Sequence, residues 1–345
     1  MKKSIFLIAI YLFLFQYCNS QPEEPEETGT WTSAAEINAR LGKGINIGNT
    51  FEAMPSWQSP FDPADMKRIA DLGFTHVCIP IRWERDDRSM SSAPYTIRPE
   101  FLKTIQSAVD EALKQNLHII INMHHHDALM ADPAGEKARF LSQWEQIAGH
   151  FKDYPDSLLF EILNEPHDKL TADLWNDYLS EALQVIRETN PKRCVLIGIA
   201  EWGGVGGLHS LEIPNDPQLI LTVHYYNPFH FTHQGAEWVE GSNAWLGTQW
   251  QDTDLERQAV EEDFKAVIRL SGEKKIPVHV GEFGAYSRAD LDSRVRWTRF
   301  LARWFEDQGF SWAYWEWNSG FGIYKPQSGQ YEQRLVDALI SEPMP

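Results

Sequence analysis

The chain has 345 residues, of which 43% are hydrophobic, so it contains enough apolar material for one large core. Its 31 basic and 49 acidic side chains give a formal net charge of −18 at pH 7. Because binding to a nucleic-acid backbone needs concentrated positive charge, we expect no nucleic-acid partner.

The first residues have the composition of an export signal. Lys2 and Lys3 precede an apolar run over residues 5–15, which is too short to span a bilayer comfortably. Cys18 then follows, as in bacterial lipoprotein signals, where the cysteine becomes the lipidated first residue. Tyr17 is bulky where such signals carry a small side chain, so ordinary secretion is the alternative.

We therefore predict three regions along the chain. Residues 1–18 form the signal, with Cys18 as the lipidation site, and residues 19–30 form a Pro/Glu-rich tether. Residues 31–345 form the folded domain. The protein is expected outside the cytoplasm, either secreted or held at the cell envelope, and it should touch a membrane only through a lipid anchor.

Apolar, β-branched runs alternate with segments of helical periodicity. The runs predicted to be strands are 44–48, 75–81, 118–123, 158–163, 194–200, 219–225, 277–282 and 311–315. Eight such units predict parallel pairing through right-handed crossovers, and hence an α/β fold: a single-domain (β/α)8 TIM barrel. The fifth unit is the weakest, since only residues 202–211 are available for its helix, and an open doubly wound sheet is the alternative.

Polar or aromatic residues follow every predicted strand, at the ends where barrel enzymes collect their functional groups. In strand order they are Asn49, Arg82, His124 with His125, Asn164 with Glu165, Glu201 with Trp202, His224 with Tyr226, Glu282, and Trp315. A strand leaving a core must become polar somewhere, so one such residue is weak support. The complete ring is not required by periodicity and indicates a functional site.

Glu165 and Glu282 each end an apolar run, in FEILNEPH and in PVHVGE. Two carboxyl groups are the minimum equipment for cleaving a glycosidic bond, one as proton donor and one as nucleophile or base. We expect Arg82 to hold Glu282 ionised and His224 to manage the proton on Glu165. The structural alternatives are a helix-start acid for Glu165 and an ion pair for Glu282.

The run over residues 124–127, HHHD, also has ligand types that suit zinc. Adjacent strand residues point to opposite sides, and no second ligating cluster stands at an obvious spacing, so we expect no metal and no other cofactor. Cys78 and Cys194 lie in apolar runs and are predicted to be buried free thiols.

Aromatic residues are concentrated near two of the strand ends. Trp315 can form a floor on which a sugar ring stacks, whereas Trp312 and Tyr314 fall on the core side by alternation. The insertion over residues 224–250 is rich in aromatic and histidine side chains. It forms either a satellite hydrophobic cluster or the wall of a binding cleft, and its position at the rim favours the cleft.

Seven stretches together resemble glycoside hydrolase family 5, whose members are retaining β-glycanases with paired glutamates on the fourth and seventh barrel strands. They are GINIGNTFE, HVCIPIRW, FEILNEPH, AEWGG, HYYNPFHFTHQGAEWVEGS, GEFGAY and AYWEWNSGFG. The resemblance runs from about Leu41 to Ile340, and it is strongest to thermophilic bacterial endoglucanases that act on both β-glucans and β-mannans.

The resemblance implies roles for individual residues. Glu165 is the acid/base, Glu282 the nucleophile, and Asn164 a ligand of the sugar 2-hydroxyl. The positions that support them are Arg82, His124, His224 and Tyr226. The positions that match sugar contacts are Asn49, Glu52, His125, His233, Trp238 and Trp315. No cofactor is implied.

We therefore expect a retaining endo-β-1,4-glucanase, that is a cellulase, which forms a covalent glycosyl-enzyme intermediate on a β-linked polysaccharide. Within this class the alternatives are a β-mannanase, a xyloglucanase or a mixed glucanase/mannanase. An alternative of another class is a non-catalytic glycan-binding lipoprotein, whose sequence signal would be the loss of one glutamate. The protein is expected to be a monomer.

Overall fold

Eight parallel strands close into a barrel in chain order, with the eighth strand paired to the first. The strands are β1 (Lys43–Asn46), β2 (His76–Ile79), β3 (His118–Asn122), β4 (Leu158–Glu161), β5 (Val195–Ile197), β6 (Leu219–His224), β7 (Val278–Phe283) and β8 (Ser311–Tyr314). A short antiparallel ribbon follows, made of β9 (Tyr324–Lys325) and β10 (Gln330–Tyr331). The closed sheet confirms the predicted (β/α)8 barrel and excludes the open sheet.

The computed structural model describes residues 32–345, which form one unit. The predicted signal over residues 1–18, its lipidation site Cys18 and the tether over residues 19–30 lie outside the described residues. Among residues 32–345, every helix is too short or too polar to cross a membrane.

Helices surround the barrel, and their ends follow local sequence signals. They are α1 (Ala34–Leu41), α2 (Ala64–Leu72), α3 (Pro99–Lys114), α4 (Asp127–Ala131), α5 (Pro133–His150), α6 (Ala172–Thr189), α7 (Phe229–Thr232), α8 (Asp254–Lys274), α9 (Leu291–Asp307) and α10 (Gln333–Ile340). Pro99 occupies the first turn of α3, and Gly73 ends α2 in the left-handed conformation.

The fifth unit has a 3₁₀ turn over Val205–Ser210 in place of an α-helix. The segment before and within it, residues 203–207, contains four glycines, which disfavour an α-helix because each loses backbone entropy. The weakest unit of the sequence pattern is therefore also the irregular unit of the fold.

Two apolar layers follow from the alternation of side chains along the strands. The larger layer lies between strands and helices and includes Trp312 and Tyr314, both fully buried as predicted. The smaller one fills the lower barrel interior, where Ile37 and Leu41 of α1 pack with residues such as Ile120.

Strand β7 contains one extra residue near its end. Val223 and His224 of β6 pair with Val280 and Glu282, so Gly281 is skipped, and a matching shift occurs against β8. This β-bulge places Gly281 and Glu282 both toward the barrel interior, whereas Phe283 packs outward in the larger core.

Candidate active site

Glu165 and Glu282 meet at the C-terminal rim of the barrel, as the strand-end pattern predicts. One oxygen of each carboxyl group and a ring nitrogen of His224 lie within 4.8 Å of one another. His224 Nδ1 is 2.7 Å from Glu165 Oε1 and 3.6 Å from Glu282 Oε2. Two carboxyls at this separation fit on either side of one sugar carbon.

Glu282 is the more buried carboxyl, with 9% of its side chain exposed. The Tyr226 hydroxyl donates a hydrogen bond of 2.8 Å to Oε2, and His124 Nε2 lies 3.9 Å from Oε1. Burial raises the pKa of the Glu282 carboxyl to about 8, although His224 and the Tyr226 hydrogen bond act against the rise. The carboxyl group is thus held in one orientation by side chains at the ends of two other strands, β3 and β6.

Glu165 is more open, with 23% of its side chain exposed. It lies just beyond β4 in a left-handed conformation, with φ 44°. Gly203 packs against it so closely that a Cβ there would lie 3.3 Å from both Glu165 Cγ and His224 Cγ. A glycine at that position lets the loop after β5 support both groups without covering the carboxyl.

His224 lies between the two carboxyls. Burial alone would lower the pKa of its imidazole, but the neighbouring Glu282 and Glu165 outweigh burial and raise the pKa to about 9. At neutral pH the His224 imidazolium therefore places one positive charge beside the two carboxyl groups. His224 thus directly contacts Glu165, the group whose proton it is expected to manage.

The prediction that Arg82 holds Glu282 ionised was wrong. Its guanidinium forms ion pairs with Asp127 at 2.8 Å and with Glu84 at 3.2 Å, and its Nε donates to the Glu52 carbonyl. These contacts direct Arg82 to the loops after β1 and β3, so it positions those loops and does not hold Glu282 ionised.

A third carboxyl, which the sequence interpretation missed, lies below the pair. Glu161 is buried in β4, and Asn122 Nδ2 donates to it at 3.1 Å while also lying 3.2 Å from His124 Nδ1. Burial raises the pKa of Glu161. The sequence signal that could have identified Glu161 was its position as the one acidic residue inside the apolar run LLFEIL.

Trp315 and His124 form one wall of the cleft, with parallel rings whose centroids are 5.4 Å apart. Trp315 is partly exposed, in contrast to the buried Trp312 and Tyr314. His125 is also partly exposed and lies edge-on to the ring of the exposed Trp57 at 6.4 Å. These faces can pack on sugar rings.

Two buried acids adjoin the loop after β1: Glu52 lies within that loop, and Glu316 lies just after β8. Glu52 is buried, and its oxygens accept the backbone N–H groups of Asn49 and Thr50, so it shapes the loop from below. Glu316, missed by the sequence interpretation, is buried against the Asn49 side chain. Burial raises the pKa of Glu52 to about 7 and that of Glu316 to about 8. Asn49 itself remains partly exposed.

The aromatic insertion contains both buried and exposed side chains. Phe231 and Trp250 are buried in the core, whereas Trp238 is 60% exposed. His233 is buried and lies edge-on to Tyr226, the residue whose hydroxyl contacts Glu282, with ring centroids 4.9 Å apart.

Trp202 is an exposed aromatic residue that was not assigned to the site. It is 57% exposed and stacks on His167, with ring centroids 3.6 Å apart. His167 Nδ1 lies 2.6 Å from the Glu165 carbonyl, so the stack flanks the proposed acid. The sequence signal that could have identified Trp202 was its position directly after β5.

Asn164 is buried next to Glu165, and its Oδ1 has no hydrogen-bond partner among residues 32–345. The run HHHD does not converge on one point: His126 contacts Glu136 at 3.1 Å, and Asp127 pairs with Arg82. The residues of HHHD thus do not form a joint cluster. The site consists of the pair Glu165 and Glu282 with polar and aromatic neighbours.

Such a pair at the rim of a (β/α)8 barrel is the equipment of enzymes that cleave glycosidic bonds. Comparison with known proteins agrees that the protein is a glycoside hydrolase. The chain belongs to glycosyl hydrolase family 5, since residues 34–320 match the family model described as Cellulase (glycosyl hydrolase family 5).

Solved structures show the same fold. The crystal structure of endoglucanase Cel5A from the hyperthermophilic Thermotoga maritima is 46% identical, covers 90% of this chain and 100% of that chain, and has a TM-score of 0.87. A Thermotoga maritima Cel5A structure in complex with mannotriose is 45% identical, covers 89% of this chain and 100% of that chain, and has a TM-score of 0.86.

Among characterised relatives, endoglucanase H of Acetivibrio thermocellus is 36% identical over 317 residues. The match includes 89% of this chain but 33% of that protein, so the chain spans about a third of this relative's length.

Proposed function

We propose that the protein is a retaining endo-β-1,4-glucanase. The observation that carries this proposal is the short distance between Glu165 and Glu282: one carboxyl oxygen of Glu165 lies within 4.8 Å of one carboxyl oxygen of Glu282. Retaining glycosidases have carboxyl groups about 5–5.5 Å apart, whereas inverting enzymes need about 6.5–9.5 Å to admit a water molecule between carboxylate and sugar.

In the first step Glu282 attacks the anomeric carbon while Glu165 gives its proton to the leaving oxygen. The bond from sugar to Glu282 forms as the glycosidic bond breaks, and the leaving chain departs as an alcohol. The buried Glu282, fixed by Tyr226, suits the nucleophile because its oxygen must stay aimed at one atom.

In the second step a water molecule gives a proton to Glu165 and attacks the same carbon, which releases Glu282. The greater exposure of the Glu165 side chain, 23% against 9%, suits a group that must meet incoming water. Asn164 and the aromatic wall of Trp315 and His124 would hold the sugar during both steps.

The test combines product stereochemistry with substrate range. Proton NMR during the first turnovers should show products with retained β configuration, released from β-1,4-glucan and mixed-linkage glucan. Inverted products would contradict the retaining mechanism. Binding of a glucan without turnover by the wild type would instead support a glycan-binding protein.

A mixed glucanase/mannanase is the second candidate. It is favoured by the 45% identical Thermotoga maritima Cel5A, for which complexes with both mannotriose and cellobiose are described. Reducing-sugar release from purified β-mannan and xyloglucan, measured beside β-glucan, ranks these substrates.

We also propose that the protein works outside the cytoplasm, with Cys18 as the lipidated residue. The basic pair before an apolar run that ends near Cys18 supports this proposal. Mass spectrometry of the N-terminal peptide from envelope fractions tests it. A Cys18→Ser variant should leave the membrane fraction and appear either in the soluble secreted fraction or in the soluble fraction retained by the cell. Unchanged membrane association would contradict lipidation.

A further inference from the structure

Three side chains that can bind a metal ion meet inside the barrel. They are His76 and Cys78 on β2 and His279 on β7, three residues before Glu282, and all three are buried. One ring nitrogen of each histidine and the Cys78 sulfur lie within 4.8 Å of one another. The hydrolytic mechanism uses none of them.

Hydrogen bonds on the outer side of each imidazole fix its tautomer. His76 Nδ1 lies 2.7 Å from the Leu41 carbonyl oxygen, which can only accept, so Nδ1 carries the hydrogen. His279 Nδ1 lies 2.8 Å from Ser311 Oγ, which already donates its hydrogen to Asn38 Oδ1 at 2.7 Å. His279 Nδ1 is therefore also a donor, and both Nε2 atoms bear lone pairs.

Neither Nε2 atom has a hydrogen-bond partner among residues 32–345. A buried polar atom left unpaired is costly, and the Cys78 thiol carries one hydrogen, enough for one of the two lone pairs. The His76 ring lies directly over Gly44, where a Cβ would be 2.1 Å from the ring, so β1 leaves room for it. The two lone pairs thus need a shared partner that is positively charged or donates twice.

We propose that His76, Cys78 and His279 bind a zinc ion through the two Nε2 atoms and the Cys78 thiolate. Two imidazoles and one thiolate are a ligand set that zinc prefers, and the outer hydrogen bonds orient the rings as they do in zinc proteins. Ligand atoms around tetrahedral zinc lie about 3.5 Å apart. The three atoms here already lie within 4.8 Å of one another, so binding would draw them closer together. On binding, the Cys78 thiol proton leaves to solvent. This site does not rest on the proposed hydrolase function.

The test refolds the protein from denaturant containing a chelator, with either Zn²⁺ or Co²⁺ added, because a site this buried fills as the chain folds. We expect about one ion per chain, a higher melting temperature than in the chelator-refolded protein, and a thiolate-to-cobalt charge-transfer band. Cys78→Ser should lose the ion and the band. Cys194→Ser is the matched control, since it changes the other buried thiol and should keep both.

Ser311→Ala removes the acceptor of His279 Nδ1 and should weaken zinc binding about 10- to 100-fold. Copper that is retained by the wild type and lost in Cys78→Ser would support the same three ligands. Refolded wild type without bound metal, a cobalt complex without the thiolate band, or full binding by Cys78→Ser would overturn the site and leave a buried water as the shared donor. The cobalt spectrum of the wild type decides the question even if Cys78→Ser does not fold.

Discussion

His224 Nδ1 lies 2.7 Å from Glu165 Oε1, so a histidine at the end of β6 directly contacts the carboxyl that follows β4. The same nitrogen is 3.6 Å from Glu282 Oε2. One cationic ring therefore affects both carboxyls, and a change at any of these groups alters the proton balance of the other two.

Replacing Glu282 should remove the nucleophile. Glu282→Ala is expected to lower kcat/KM on intact glucan by about 10⁴-fold or more. Azide should partly restore cleavage of an activated aryl glycoside, because the small anion can occupy the space of the missing carboxylate. The measurement is NMR of the glycosyl azide, which should have inverted configuration, and a retained product would contradict the assignment.

Replacing Glu165 should give the opposite stereochemistry. Glu165→Ala is expected to slow polymer hydrolysis by about 10²–10⁴-fold. The first step on a dinitrophenyl glycoside should stay near the wild-type rate, because that leaving group needs no proton. Azide should then attack the intermediate on Glu282 and give a product of retained configuration. Equal losses on the polymer and on the activated substrate would show that Glu165 is not the acid.

Tyr226→Phe should shift the pH profile of the enzyme. The lost hydrogen bond lowers the pKa of Glu282 in the wild type, so its removal raises that pKa further. Since the nucleophile must be ionised, the acidic limb of kcat/KM should move to higher pH. A hydrogen bond to a charged group contributes about 1.5–3 kcal/mol, so we expect kcat/KM to fall about 10- to 100-fold.

The neighbouring tyrosine provides the control for this variant. Tyr225 is buried, and its hydroxyl donates to Asp263 at 2.9 Å, outside the carboxyl cluster. Tyr225→Phe also removes one buried hydroxyl and should lower stability without moving the pH profile. Similar profiles for Tyr225→Phe and Tyr226→Phe would contradict a specific effect on Glu282.

Stability should decrease as the pH rises above about 7. Burial raises the pKa of Glu52 and Glu84 to about 7 and that of Glu282 and Glu316 to about 8, while carboxyl neighbours raise the pKa of His224 to about 9. With every one of these values above its unfolded value, these five groups bind more protons in the folded chain than in the unfolded chain. Buried histidines such as His125 and His233, whose pKa burial lowers to about 4, have the opposite effect, but only below about pH 7, where an unfolded histidine is protonated. The free energy of unfolding should therefore fall between about pH 7 and pH 9 in denaturant titrations.

Glu316→Gln isolates one of these groups. The amide cannot ionise, so the variant should lose part of the pH dependence, on the order of a few kcal/mol between pH 5 and pH 9. Its melting temperature relative to wild type should improve at pH 9 more than at pH 5. Glu145→Gln, on the exposed side of α5, is the control and should leave the slope unchanged. A slope identical in both variants would rule out Glu316 as a contributor.

Local patterns in the sequence were sufficient for the barrel, because each strand and most helices carry their own periodicity and end signals. They were also sufficient to bring Glu165 and Glu282 to one rim, since parallel strands end together. They could not show that Arg82 binds Asp127 or that Glu161 lies under the pair, because such contacts depend on loop paths and side-chain directions.

Residue spacing in the sequence also could not predict contacts between distant segments. His76 and Cys78 stand two residues apart and His279 comes five strands later, so no ligand motif appears along the chain. Trp202 was visible as a rim residue, but its stacking on His167 depends on the irregular fifth unit.

The extra residue in β7 has a consequence for engineering. Regular alternation from His279 through Gly281 would turn the next side chain, Glu282, out among the helices, and the skipped pairing at Gly281 is what redirects it. A change that straightened β7, so that Gly281 paired with His224 in place of Glu282, would keep every reactive side chain in the sequence yet turn the nucleophile to the wrong face of the barrel wall. Activity in this scaffold is thus as sensitive to the pairing of one strand as to the chemistry at its tip.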